Sequence, residues 1–470
     1  MLTLLAEKDS ESRPFHNLRI ALDVPSSDPL LLKAKASCVA ELISQQVSDD
    51  VSFKIMPHEL LEAYDTIRSA SQRGATRRGA PSLLDPVKDL GTRLFNSLFQ
   101  GELGWIYRES AARADKADAR LRICISATPG TLIEDLPWEF LYDPTRNDFL
   151  ALSSRRPIVR QVEPIVPFAT SNPSASAPLR LAFVTTPDRD GHLGTERDLD
   201  ILQRIAESEA GRIQITQIPS ATAFDFLEIM SSTDFDAVHF SGSANEQIPG
   251  APLSPQALVL SGTDGLTVEM LRRVKPAARG PRLLFLNACN THRLTRQFAR
   301  HIPNVIGMRE QVQVDFCVTF ASGFYRCLMK GFSIEEAISV ARALSDTVNP
   351  GGREWGMATF STSAAAPIPL VNSAPRASRA TGSRQPASLG ALDPGHAREW
   401  RKLKQQLEVN QRNQAALSDL LEELNKTESP DESVRTINRG PMKDLQEQLA
   451  RLNDTIDEIQ NRMFSISGSR

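Results

Sequence analysis

Four short runs, "LRLAFVTT", "RIQITQI", "AVHFSG" and "RLLFLNA", are dominated by β-branched and apolar residues, with helical segments between most of them, among them "TERDLDILQRIAE" and "TAFDFLEIM". Strands of that kind alternating with amphipathic helices predict a mostly parallel sheet covered on both faces, the α/β class. In such sheets ligands and chemistry collect at the carboxyl ends of the strands. "AVHFSG", with His239, and "LFLNAC", with Cys289, both run into loops there.

The chain before Leu179 reads differently. "NLRIALDV" and "VSFKIMP" alternate as strands, and "HELLEAYDTIRSA" is an amphipathic helix followed by a basic loop. "DPVKDLGTRLFNSLF" spaces Val87, Leu90, Leu94, Phe95 and Leu98 at helical intervals, with Asp85 as N-cap and Pro86 in the first turn. "ARLRICISAT" is a further strand, and Trp138 in "EDLPWEFLYD" belongs to the core. The expected division is an N-terminal α+β part over 17–170, an α/β domain over 178–368, a linker over 369–394 rich in Ser, Ala, Pro and Arg, and a helical module over 395–466.

In that last module Leu403, Leu407, Leu417 and Leu421, then Leu449, Leu452 and Ile456, recur at three- and four-residue steps. This is the heptad rhythm of a coiled coil or antiparallel helical hairpin, a face for self-association or for a protein partner. "ESPDES" and "RGPM" break the helix between the two runs.

A chain of 470 residues can bury a sizeable core, and a net charge of -3 predicts no nucleic-acid surface. Five cysteines without CxxC spacing argue against a disulfide framework and a structural zinc site, so no metal and no cofactor are expected. The N-terminal apolar run is short and no apolar run approaches membrane-spanning length. A cytoplasmic protein is expected.

The ordered set "LGTRLFNSLF", "LPWEFLYD", "FLALS", "PIVR", "VHFSG", "FLNAC", "VIGMREQV" and "FASGFYRCLMKGFSIEEAISVAR" resembles the bacterial CHAT-domain proteins, the caspase-like, separase-related cysteine peptidases and their relatives. The resemblance covers residues 17 to 368. It implies a caspase-like sheet with a Cys–His dyad at neighbouring strand ends. The cysteine after "LNA" falls on Cys289. Residue-by-residue alignment of the family's "HFSGHG" motif puts its histidine at Ser243 and its following glycine at Ala244.

Both positions depart from the pattern. A serine cannot take the proton of a thiol whose ordinary pKa is near ~8.5. Alanine keeps a backbone N–H to donate to an oxyanion but not a glycine's conformational range. The resemblance therefore implies a non-catalytic interaction or regulatory protein of a bacterial conflict or stress-signalling system. The alternative is a cysteine endopeptidase in which Cys289 uses His239, or a histidine of a partner, as base. His239 itself reads as a core histidine, and His292, close behind Cys289, as the start of a helix leading away.

Overall fold

The computed structural model describes residues 14–25, 32–72, 85–165, 178–186, 194–209, 211–244, 257–261, 265–273, 280–349, 353–367 and 369–371. The chain divides into two compact units, Met1–Arg376 and Ala377–Arg470. The second unit, with Leu403, Leu407, Leu417, Leu421, Leu449, Leu452 and Ile456, lies outside the described residues.

In the first unit the strands are β1 (Phe15–Asp23), β2 (Lys33–Ala40), β3 (Gln45–Ser52), β4 (Arg120–Ala127), the hairpin β5 (Tyr142–Asp143) and β6 (Asp148–Phe149), and β7 (Ile158–Gln161). There follow β8 (Leu179–Thr185), β9 (Ile213–Ile218), β10 (Ala237–Ser241), β11 (Ser243–Ala244), β12 (Ala257–Val259), β13 (Leu266–Thr267), β14 (Leu283–Asn287), β15 (Asn304–Met308) and β16 (Ala358–Thr362). Eleven of them form one sheet in the order β3-β2-β1-β4-β7-β16-β15-β14-β10-β8-β9. Pairing is parallel from β1 through β4 and β7 to β16, and again from β15 through β14, β10 and β8 to β9. The two parallel blocks join at the antiparallel pair β15–β16.

The α/β class expected from the alternating runs is what the chain forms. One detail differs: the strand expected at Val51–Pro57 is β3, Gln45–Ser52. It pairs antiparallel with β2 at the sheet edge, where its half-buried Asp49 and exposed Asp50 hide the strand from a composition-based reading.

The helices are α1 (Pro57–Gln72), α2 (Pro86–Leu98), α3 (Gly101–Lys116), the single turn α4 (Leu132–Asp135), α5 (Thr195–Ser208), α6 (Ala223–Ser231), α7 (Val268–Arg273), α8 (His292–Phe298), α9 (Val314–Met329) and α10 (Ile334–Val348). Asp85 caps α2 by accepting from the Lys88 N–H at 3.1 Å. Gly91 lets α2 approach the "WEF" turn, because a Cβ there would meet the Phe140 carbonyl oxygen at 2.0 Å. Successive residues of β10 and β14 enter different cores: Val238, Phe240, Leu284 and Leu286 meet α6, α7 and α8, whereas Ala237, Leu283 and Phe285 join the core that includes α5, α9 and α10. Trp138 is buried, edge-on to Phe53 at 5.4 Å.

Charges are buried where elements from the two blocks meet. Arg160 of β7 donates through Nε and Nη2 to Glu139 at 2.8 and 2.6 Å, and to the carbonyls of Glu134 and Leu136 at 3.0 and 2.8 Å. Arg309, just past β15, donates to the carbonyls of Asp135 and Leu136 at 2.8 and 3.3 Å. Burial raises the Glu139 carboxyl, but the charge and hydrogen bonds of Arg160, with Arg309, outweigh it and hold the group down to about 2.

Removing one partner of such a pair leaves the others buried without compensation, which costs about 3–5 kcal/mol. Glu139→Gln is expected to lose stability of that order in urea unfolding at neutral pH. Because the folded value lies below the ordinary glutamate 4.5, the stabilisation is complete above about 4.5 and is lost as pH falls toward about 2. The gap between wild type and variant should therefore close over that interval, and a gap independent of pH contradicts the assignment.

Candidate functional site

The register of β10 against β14 fixes the height of each candidate residue. His239 stands beside Phe285, and Ser241 beside Asn287. Ser243 and Cys289 each follow two residues later, past the carboxyl ends of these adjacent strands, Ser243 in β11 and Cys289 in a turn. Both are half-buried. Ser243 and Ala244, expected in a loop, form β11, which pairs antiparallel with β12 through Ser243↔Val259 and Ala244↔Leu258.

The turn carrying Cys289 is pinned from below. Thr291 donates its N–H to the Met308 carbonyl at 2.8 Å, and its hydroxyl accepts from the Met308 N–H at 2.9 Å while donating to the Ala288 carbonyl at 2.8 Å. Asn290, at φ 58, supplies the left-handed step that swings the chain into α8.

His239 lies deeper. Its ring is fully buried, stacked on Phe285 at 4.7 Å and on Phe183 at 5.3 Å, and Nδ1 is hydrogen-bonded to the Tyr325 hydroxyl at 3.1 Å. Four residues separate the level of Phe285 from Cys289, roughly 13 Å at strand rise. His292 begins α8, as expected, among Arg309, Arg296, Asp135 and Arg293; desolvation and then the charges of Arg309 and Arg296 push its imidazole well below its usual value. It is held neutral beside a cationic network. His192, which sequence reading passed over, lies in the connection from β8 to α5, outside the described residues.

A residue with no signal in the sequence completes the site. Asp198, in the first turn of α5, reaches under the two strand ends and is 2% exposed. Its Oδ2 accepts from the Ser241 hydroxyl at 2.7 Å and from the Asn287 side-chain amide. Its field is felt nearby: burial first, then the Asp198 charge, pushes the Cys317 thiol and the Tyr325 hydroxyl well above their usual values. Burial likewise pushes Cys38 and Cys327 up to about 12 and Cys124 to about 11. No disulfide joins any two of the five cysteines. Among the described residues no group of three or more His, Cys, Asp and Glu could hold a metal ion, and no helix is long and apolar enough to cross a membrane.

Gly242 links the two layers of the site. A Cβ there would stand 2.7 Å from Phe240 Cζ and 2.8 Å from Thr186 Oγ1, and the residue's N–H donates to the Asn287 carbonyl at 3.3 Å. Gly242→Ala is expected to cost about 1–3 kcal/mol in urea unfolding, the usual penalty of overpacking. Phe240→Leu in the same chain should recover part of it. A neutral Gly242→Ala contradicts this packing.

Comparison with known proteins places this geometry in context. No curated protein sequence matches the chain. Among solved structures, a caspase-1 from Spodoptera frugiperda aligns over 45% of this chain and 96% of that protein, at 14% identity and a TM-score of 0.28. A family model described as the CHAT domain matches residues 86–348. That span runs from the first residue of α2 to the last of α10 and includes β10, β14, Ser243 and Cys289. It is more than half of the 470 residues, so the chain belongs to the CHAT-domain family.

Proposed function

We propose that this CHAT-domain protein is a non-catalytic peptidase homologue, which recognises a polypeptide at the Cys289–Ser243 cleft and acts as an interaction or regulatory component of a bacterial conflict or stress response. One observation supports the reading: Ser243 and Cys289 each lie two residues past the paired β10–β14 position Ser241↔Asn287, while His239 is committed to a buried aromatic stack and His292 to an arginine network. A serine cannot take the proton of a thiol, and proton transfer by a positioned group contributes about 10²–10⁴ in rate.

The full-length protein is expected to leave peptide libraries uncut and to escape a cysteine-directed activity probe. Ser243→His with Ala244→Gly should gain detectable cleavage that Cys289→Ala abolishes. Cleavage by the wild type that is lost in Cys289→Ala would overturn the reading in favour of an active endopeptidase. Loss in His192→Ala or His239→Ala would then identify the base.

Assembly is assigned to the C-terminal heptads, whose leucine stripes need a partner surface. Leu421→Asp with Leu452→Asp is expected to lower the mass seen by light scattering, or to release a co-purifying protein, with no change in the melting of the first unit. An unchanged mass and unchanged partners contradict the assignment.

A further inference from the structure

The eleven-stranded sheet ends in two edge strands, β3 and β9, which differ in how they meet solvent. β3 carries an exposed Asp50 and a half-buried Asp49, carboxylates that penalise the approach of a further strand. β9, "IQITQI" over Ile213–Ile218, has no charged residue, no proline and no glycine. Its pairing with β8 runs without interruption from Leu179↔Ile213 to Val184↔Ile218, so no bulge turns the edge away. Among the described residues no strand pairs with its outer side. An uncharged edge rich in β-branched residues is a template for another strand.

The hydrogen bonds to β8 fix which groups this edge offers. The Leu179 N–H donates to the Arg212 carbonyl at 2.8 Å. Along a parallel ladder the residues of one strand turn their N–H and C=O alternately toward and away from the neighbour, so Gln214, Thr216 and Ile218 face β8, as Arg212 does. Ile213, Ile215 and Gln217 present theirs to the open side. With Ile215 in the middle, these residues are self-complementary about a two-fold axis normal to the sheet. Antiparallel pairing of two copies sets Ile215 against Ile215 and Ile213 against Gln217, and each such pair exchanges both of its N–H···O bonds across the axis. Gln214 of one copy then stands opposite Thr216 of the other, an amide against a hydroxyl.

Apolar surface accompanies the edge on both faces of the sheet. Ile215, with Ile201 and Ala206 of α5, is only partly buried at the rim of one core, and Ile218, with Leu227 of α6, at the rim of the other. Phe224, in the first turn of α6 and six residues past the end of β9, is 74% exposed, the highest value for a large apolar side chain among the described residues. We propose that β9 is a self-association edge, through which two copies of this chain join antiparallel into one continuous sheet. A stable interface buries about 1,600 Å² in total, more than a six-residue ribbon supplies, so the joint also draws on the half-buried side chains of α5 and α6 and on Phe224. The occupant is a second copy because the outward register matches itself and the strand carries no charge for an opposite one to seek. This interface is separate from the C-terminal heptads and goes beyond the proposed function.

The test uses the full-length chain with Leu421→Asp and Leu452→Asp, which withdraws the heptad contribution, in sedimentation equilibrium. The expected mass is that of two chains, falling toward one on dilution. Adding Gln214→Lys with Thr216→Lys, both at exposed positions, sets like charges opposite each other on either side of the axis and should raise the dissociation constant at least tenfold. Gln214→Lys with Thr216→Asp sets opposite charges across the same axis and should keep the two-chain mass. Mixing the two-lysine variant with Gln214→Asp, Thr216→Asp should restore that mass as a mixed pair, a recovery that a folding defect would not allow. A single-chain mass at every concentration, a two-chain mass that the two lysines leave intact, equal loss in the lysine–lysine and lysine–aspartate variants, or a different polypeptide held at β9 in place of the second copy overturns the inference.

Discussion

The buried carboxylate of Glu139 is the fastening on which the site depends. It draws Arg160 from β7, with Arg309 alongside from just beyond β15, and those strands flank the place where the two parallel blocks meet. Desolvating such charges costs several kcal/mol each, so the arrangement holds only because the guanidiniums also satisfy the carbonyls of Glu134, Asp135 and Leu136. The same turn extends the network outward. Arg296 of α8 donates to the Glu134 carbonyl at 3.1 Å and pairs with Asp135, and Arg293 reaches Asp135 at 2.9 Å. Helix α8 starts three residues after Cys289, so a clamp built on the "LPWEF" turn sets the direction in which the chain leaves the cleft. Electrostatics far from the thiol thus fix the geometry around it.

Along one face of β10 and β14 the side chains change character in register: Ala237 with Leu283, His239 with Phe285, and Ser241 with Asn287, with Ser243 and Cys289 each two residues beyond the last pair. Hydrophobic burial secures the lower end, at roughly 1.5–3 kcal/mol for each large apolar side chain. Polarity rises toward the carboxyl ends, where α5 and α9 bring Asp198, Tyr325 and Cys317 over the same face. His239 marks the boundary, an aromatic surface to its neighbours and one polar contact to Tyr325. Apolar packing and polar side chains thus occupy successive layers of the same two strands.

The central parallel strands were legible because burial on both faces demands apolar runs, the edge strand β9 from its alternation of isoleucines, and α2 from Asp85, Pro86 and the spacing of its leucines. The core roles of Trp138 and His239 followed from position within such elements. β3 was not legible in place, since an edge strand carrying Asp49 and Asp50 lacks the pattern of a buried one. Nor was β11, two residues long and defined only by its pairing with β12. Asp198 shows the limit most clearly. In the sequence it is an acid in the first turn of a helix, a common placement that complements the helix dipole. Its partners lie 43 and 89 residues away, and only folding brings them together.

Recognition and bond cleavage place separate demands on such a site. Catalysis needs a base, an activated thiol and donors aimed at a charge that exists only in the transition state. Binding needs a shaped cleft and complementary charge in the ground state. On the proposed reading, serine at the mouth withdraws the first set of requirements without touching residues two positions deeper, because Ser241 and Asn287 are held by the sheet register and by Asp198. The chain has then given up the proton transfer and kept the framework of strand ends that carried it.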